Sequence, residues 1–307
     1  MVRQSIDAAF ALPPCGGYDF DMLTTALILA ALVLVAAAAT ALGMRLARVR
    51  SHFWLLGFIL PLGVILLVIL GRRIPTLALW FPISWVVHYR VTQWLMAVAV
   101  PILLATLAGR LPRRSQRIAV RALMAVTVVY FCLFPILDPI LGQYRLQGHA
   151  TVIDRDGVCR QTTEFSCGPA AAVTALRSLG IKADESVIAR EALTGPAFGT
   201  DPVALADAIN RLYAASGIHA EYRRFNAESD LTDRTPVIVS IRASSLSDHY
   251  ITILGMDRAD IFIGDPAAVS KGLQAYPRGI IPQMWHNTGI MLTRTPPPPP
   301  SLTTAAK

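Results

Sequence analysis

Up to about residue 140 the chain alternates long uncharged apolar runs with short arginine-bearing links. Beyond that point, apolar positions first recur at helical spacing and then gather into β-branched runs separated by polar turns. The first pattern predicts membrane helices. Residues 23–44 and 53–71 carry no charge and are long enough to cross a hydrocarbon core of about 30 Å. Residues 91–109 give a third span, and 122–137 a shorter fourth, extended to 118–137 with Arg121 snorkelling. Residues 74–87 are uncharged but short, with two prolines, Trp80 and Trp85, and read as an interfacial or re-entrant piece. This divides the chain into a tail (1–22), a transmembrane domain (23–140), a second domain (144–295) and a proline-rich tail (296–307) built on Pro296 to Pro300.

The second domain opens with helices. Val173, Leu176 and Leu179 form one stripe of a helix over CGPAAAVTALRSLG that stops at Gly180. Asp184 caps ESVIAREAL, and Thr200 or Asp201 with Pro202 opens a third helix carrying Leu205, Ile209 and Leu212. Strands follow at HAEYRRF, TPVIVSIRA, HYITILGM, IFIG and TGIMLTR. Helices leading and strands trailing predict an α+β sandwich behind an α-helical polytopic membrane bundle of about four spans.

Charge then sets the topology. The composition is 54% hydrophobic and the net charge +8, much of it in the links. Arg45, Arg48 and Arg50 follow the first span; Arg110, Arg113, Arg114, Arg117 and Arg121 precede the last. The positive-inside rule makes both links cytoplasmic, leaving the N-terminus and everything after residue 140 outside. The expected location is a multi-pass protein of the cell membrane with an extracytoplasmic C-terminal domain. The first span is too long for a cleavable signal peptide and lacks a positive leader, so it is expected to stay. The basic charge reports topology and anionic lipid rather than nucleic acid. The sequence has no GxxxxGK[ST] phosphate loop, so no nucleotide site is expected.

The candidate chemistry lies at CRQTTEFSCGPAAAVTAL. Cys167 opens an apolar helix, where the positive end of the helix dipole favours the thiolate, the attacking species. Gln161, six residues earlier, can join the Cys167 backbone N–H in donating to an oxyanion. A nucleophilic cysteine also needs a base and a group that orients the base. SDHYITILGMDRADIFIGDPA reads as a hairpin that, folded about Asp257, brings His249 within a ladder step or so of Asp265. His219 and His286 are alternative bases ranked below His249, since neither is followed by a carboxylate at hairpin distance.

Gln161, Cys167-Gly168, His249-Tyr250 and Asp265-Pro266 resemble the motifs of the double-glycine-leader, bacteriocin-processing family of papain-like cysteine peptidases, over residues 159–294. The resemblance implies a papain-like fold, with Cys167 as nucleophile, His249 as general base and acid, Asp265 as its orienter and Gln161 as oxyanion donor. Exporter-linked members carry the peptidase N-terminally with an ATPase, whereas this chain carries it C-terminally with none, so any exporter would be a separate partner.

The expected function is a membrane-anchored cysteine peptidase acting on a peptide or leader sequence, without cofactor or metal. Its expected partners are a peptide or protein substrate and the lipid bilayer. Two other readings stand beside it: a thiol acyltransferase or amidase on envelope peptides, and an inactive peptide-binding module. Cys15 and Cys159 would share the outer side, which allows a disulfide. A Cys159–Cys167 bridge would silence the nucleophile, and Cys132 lies inside the last span. Paired CxxC or HExxH spacing for zinc is absent.

Overall fold

The computed structural model describes residues 22–74, 83, 86, 89–225, 231, 235–242, 248–267, 272–279 and 284–295. Cys15, the proline-rich tail and nearly all of 74–87 lie outside the described residues. Four helices are long and apolar enough to cross a membrane: α1 (Met22–Arg48), α2 (Leu56–Arg73, after a 3-10 turn over His52–Leu55), α3 (Tyr89–Arg110) and α4 (Arg114–Leu146). Small residues set their packing. Gly43 lies against Ile102 and Ala105, and Gly109 against Ala47, so α1 and α3 run parallel with their arginine-bearing ends on one side. Gly57, early in α2, meets Thr106, late in α3, which makes α2 antiparallel to α3. A short turn after Arg110 sends α4 back from that basic side, and the second domain follows at its far end.

The end of α4 differs from the sequence expectation. The span expected over 118–137 lies within a longer helix that continues through Asp138 and Pro139 to Leu146, for a length of about 50 Å. It can continue because the Asp138 carboxylate accepts two backbone N–H bonds from a loop of the second domain. A side chain that is costly to bury thereby has partners in place.

The second domain begins with a small ladder, β1 (Val152–Ile153) with β2 (Cys159–Arg160). Helices α5 (Cys167–Ser178), α6 (Glu185–Glu191) and α7 (Pro202–Tyr213) follow. Asp184 and Asp201 cap α6 and α7, each accepting from two first-turn N–H groups. Six strands then form an antiparallel sheet: β3 (Ile218–Arg224), β4 (Val237–Arg242), β5 (Asp248–Met256), β6 (Asp260–Gly264), β7 (Leu273–Pro277) and β8 (Trp285–Arg294), in the order β3-β8-β4-β5-β6-β7. β7 was not legible in the sequence, since LQAYP is short and holds no β-branched residue.

Alternation along the strands divides the core in two. Ile238, Tyr250, Ile290 and Leu292 face a cluster with Ala170, Val173, Leu176, Leu205 and Ile209 of the helices. Val237, Val239, Ile251, Ile253, Ile261 and Ile263 face the other side with Phe225 and Trp285. α5 is fixed to the sheet by a hydrogen bond from the Thr252 hydroxyl to the Ala171 carbonyl at 2.8 Å. The architecture is an apolar four-helix region followed by a sheet-rich α+β domain.

Candidate active site

Cys167 is the first residue of α5, where backbone N–H groups have no intrahelical acceptor. The helix starts there because the preceding turn is closed. The Ser166 hydroxyl accepts from the Thr163 N–H at 3.0 Å and donates to the Thr163 carbonyl at 3.1 Å. Pro169 in the first turn has no N–H and so needs no acceptor. Gly168 has no room for a side chain, because an added methyl would press on Thr200 at 3.0 Å and on the Tyr250 ring at 3.4 Å.

His249 stands near the start of β5, and Asp265 directly follows β6. The His249 Nε2 lies 2.7 Å from the Asp265 Oδ1, and Asp265 also accepts from the Ala267 N–H at 2.9 Å. With Nε2 on Asp265, Nδ1 is the ring nitrogen left for the Cys167 side chain, which lies close enough to act on the imidazole. Burial by itself would lower the His249 pKa. The hydrogen bonds to Asp265 and Cys167, with the negative charge of both partners, overcome it and raise the imidazole from 6.5 to about 9. For Asp265, burial would raise the carboxyl, but the bonds from His249 and Ala267 together with the imidazolium charge hold it below its ordinary value.

The hairpin register differs from the sequence expectation. Thr252 pairs Gly264 and Ile253 pairs Ile263, with an irregularity between Ile253 and Gly255. The turn therefore lies over Asp257–Asp260 rather than about Asp257 alone. Extending the pairing puts residue 267 opposite His249, with Asp265 two places away on the same face. Such diagonal neighbours remain within reach of long side chains.

Gln161 is held near this group by its backbone, whose N–H donates to the Pro266 carbonyl at 2.9 Å. Its Nε2 donates to the Thr163 carbonyl at 3.0 Å, which leaves one amide hydrogen for another acceptor. Its Oε1 is buried without a hydrogen-bond partner among the described residues. A residue missed in the sequence supports this segment. Glu185, 1% exposed, accepts from the Thr162 N–H at 3.0 Å and the Thr162 hydroxyl at 2.5 Å. The only sequence signal was an acidic pair at a helix start, which the cap role of Asp184 absorbed.

The other candidates stand apart. His219 is exposed on β3, three strands from β5, and His286 lies in β8. Cys132, Cys159 and Cys167 are free thiols. Burial pushes the Cys159 thiol far up, with Glu185, Asp184 and Asp154 adding to it, so Cys159 is a core residue beside the helices. Among the described residues no cluster of His, Cys, Asp and Glu could hold a metal ion.

A cysteine at a helix start, a histidine beside it and a carboxylate bonded to that histidine can perform acyl transfer through sulfur. Comparison with known proteins gives the family. A model of the Peptidase_C39 like family matches residues 157–291. An uncharacterized protein of Methanothermobacter marburgensis is 33% identical over 110 residues, covering 36% of this chain and 71% of that one. Another, from Methanothermobacter thermautotrophicus, is 29% identical over 118 residues, covering 38% and 77%. Among solved structures, the peptidase domain of Streptococcus ComA, a bifunctional ABC transporter of a quorum-sensing pathway, aligns with a TM-score of 0.38 at 20% identity, over 48% of this chain and all of that one. The Streptococcus mutans ComA peptidase domain aligns at 0.32 and 21%, over 44% and 96%. Through its C-terminal domain the chain belongs to the Peptidase_C39 like family.

Proposed function

We propose that this protein is a membrane-anchored cysteine peptidase that hydrolyses a peptide bond through a thioester on Cys167. The observation that carries the reading is His249 bonded to Asp265 at 2.7 Å while the Cys167 side chain lies close enough to act on its imidazole. With the proton on His249, the Cys167 thiolate attacks the carbonyl carbon. The oxyanion receives hydrogen bonds from the Cys167 N–H and the free amide hydrogen of Gln161. Collapse breaks the C–N bond as His249 passes its proton to the leaving amine. Water, deprotonated by His249, then attacks the thioester, releases a carboxylate and restores the thiolate, with the proton back on His249. Asp265 stays ionised and keeps Nδ1 aimed at sulfur.

The partners under this reading are a peptide or protein substrate and the bilayer. The basic ends of α1 and α3 face away from the second domain, and the positive-inside rule then assigns that domain to the extracytoplasmic side. The test compares envelope peptides from cells producing the parent with those from cells producing Cys167→Ala. A set of peptide ends present only with the parent is expected; identical sets contradict the proposal.

A further inference from the structure

Asp138 is the one charged side chain between Arg121 and Arg145, and it is 2% exposed. Its two carboxylate oxygens accept from the N–H groups of Ala197 at 2.9 Å and Phe198 at 3.3 Å. Those residues form the tip of a loop, Thr194 to Thr200, that has no charge of its own. Gly195 and Gly199 close the loop by exchanging N–H···O bonds of 3.0 and 2.9 Å. Pro196 has no N–H. Every backbone donor from Gly195 to Gly199 is therefore engaged within the protein, and the Thr194 and Thr200 hydroxyls bond each other at 2.9 Å. Contact with α4 is direct, since a methyl at Gly195 would strike the Asp138 carboxylate and one at Gly142 the Thr194 carbonyl.

Hydrocarbon offers no acceptor for a bare backbone N–H, and the tip of this loop presents none. The position of the loop along α4 points to the same medium. The Phe198 ring, 43% exposed, packs edge-on against Phe134 at 6.0 Å and Tyr130 at 6.5 Å between centroids. Beyond Asp138 the helix surface stays uncharged and exposed at Ile140 and Leu141, ending at Tyr144, which is 76% exposed, and Arg145. Residues 122–144 span about 35 Å, enough for the hydrocarbon core with Tyr144 and Arg145 at its border. Phe134 lies about 15 Å along the axis before Tyr144, so Phe198 sits on the lipid side of that border. A bare aspartate there would be costly. The two N–H donors offset part of that cost.

We propose that the Thr194 to Thr200 loop is inserted in the bilayer, with the acyl-chain boundary as its partner and Asp138 as the internal acceptor for its tip. The loop base meets the candidate site. The Tyr250 hydroxyl donates to the Thr200 carbonyl at 3.0 Å, and Thr200 touches Gly168. The wedge thus holds Cys167 and His249 at the membrane surface.

The test places a tryptophan at the tip. The full chain with Phe198→Trp is reconstituted in phosphatidylcholine vesicles with or without bromines high on the acyl chains, and the emission of the parent's five tryptophans is subtracted. For a ring packed this far inside the Tyr144 border, the added emission should fall about twofold or more in brominated lipid. Ala197→Trp gives the same reading if Phe198→Trp does not fold. Equal emission in the two vesicles overturns the insertion. The measurement does not depend on Cys167 chemistry.

Discussion

The His249 Nε2 and the Asp265 Oδ1 stand 2.7 Å apart although their residues are diagonal, not opposite, across the β5–β6 hairpin. A bond made on the diagonal depends on the loop after β6, which the Ala267 N–H fastens to the same carboxylate oxygen. Asp265→Ala should therefore cut kcat by about tenfold or more, while Asp265→Asn, whose amide oxygen still accepts the imidazole N–H, should cut it less. Steady-state kinetics on both variants checks this. Unchanged kcat in Asp265→Ala would remove Asp265 from the mechanism.

The raised His249 value gives a second prediction. The imidazolium partner of the thiolate is lost as pH rises through about 9, so turnover should decline there, and the Asp265→Ala decline should come at lower pH. Stability follows the same sign. A group whose folded pKa exceeds its unfolded value of 6.5 contributes fully below that value, and the contribution disappears as pH rises through about 9. Thermal midpoints measured from pH 6 to 10 should fall across this window, less steeply in Asp265→Ala.

Much of the site was legible because it is local. The start of α5 at Cys167 and the caps at Asp184 and Asp201 follow from spacing within a few residues, and the hairpin joining His249 to Asp265 from a single turn over sixteen. What was hidden depends on distant partners. The register slipped because the irregularity at Ile253 and Gly255 has no marker in an apolar run. The end of α4 was misplaced because Asp138 is satisfied from Ala197 and Phe198, far along the chain. Glu185 supports Thr162 through the fold, not through sequence proximity.

Gln161 and Glu185 can be separated by what they change. Gln161→Ala should lower kcat roughly a hundredfold to a thousandfold with little change in KM, as expected for an oxyanion donor. Glu185→Ala should lower both activity and stability, the latter by about 1–3 kcal/mol, because the half-buried Thr162 donors lose their acceptor. Chemical unfolding and kinetics of the two variants distinguish them. A Gln161→Ala effect confined to KM would make Gln161 a binding residue.

Fusions test the topology. An alkaline phosphatase joined after Lys307 should be active and a cytosolic fluorophore there dark, with the reverse after Arg114. Reversal at Lys307 would put the catalytic domain in the cytoplasm.

The claim that Cys167 forms the acyl intermediate is tested most directly by acid-quenching the purified full chain during turnover of envelope peptides and weighing it. The parent should carry a peptidyl adduct on Cys167, absent from Cys167→Ala and lost on brief treatment with hydroxylamine, and Cys167→Ser should not turn over. Cleavage by Cys167→Ser within about tenfold of the parent would contradict the account, given the catalytic loss expected when the nucleophile is replaced.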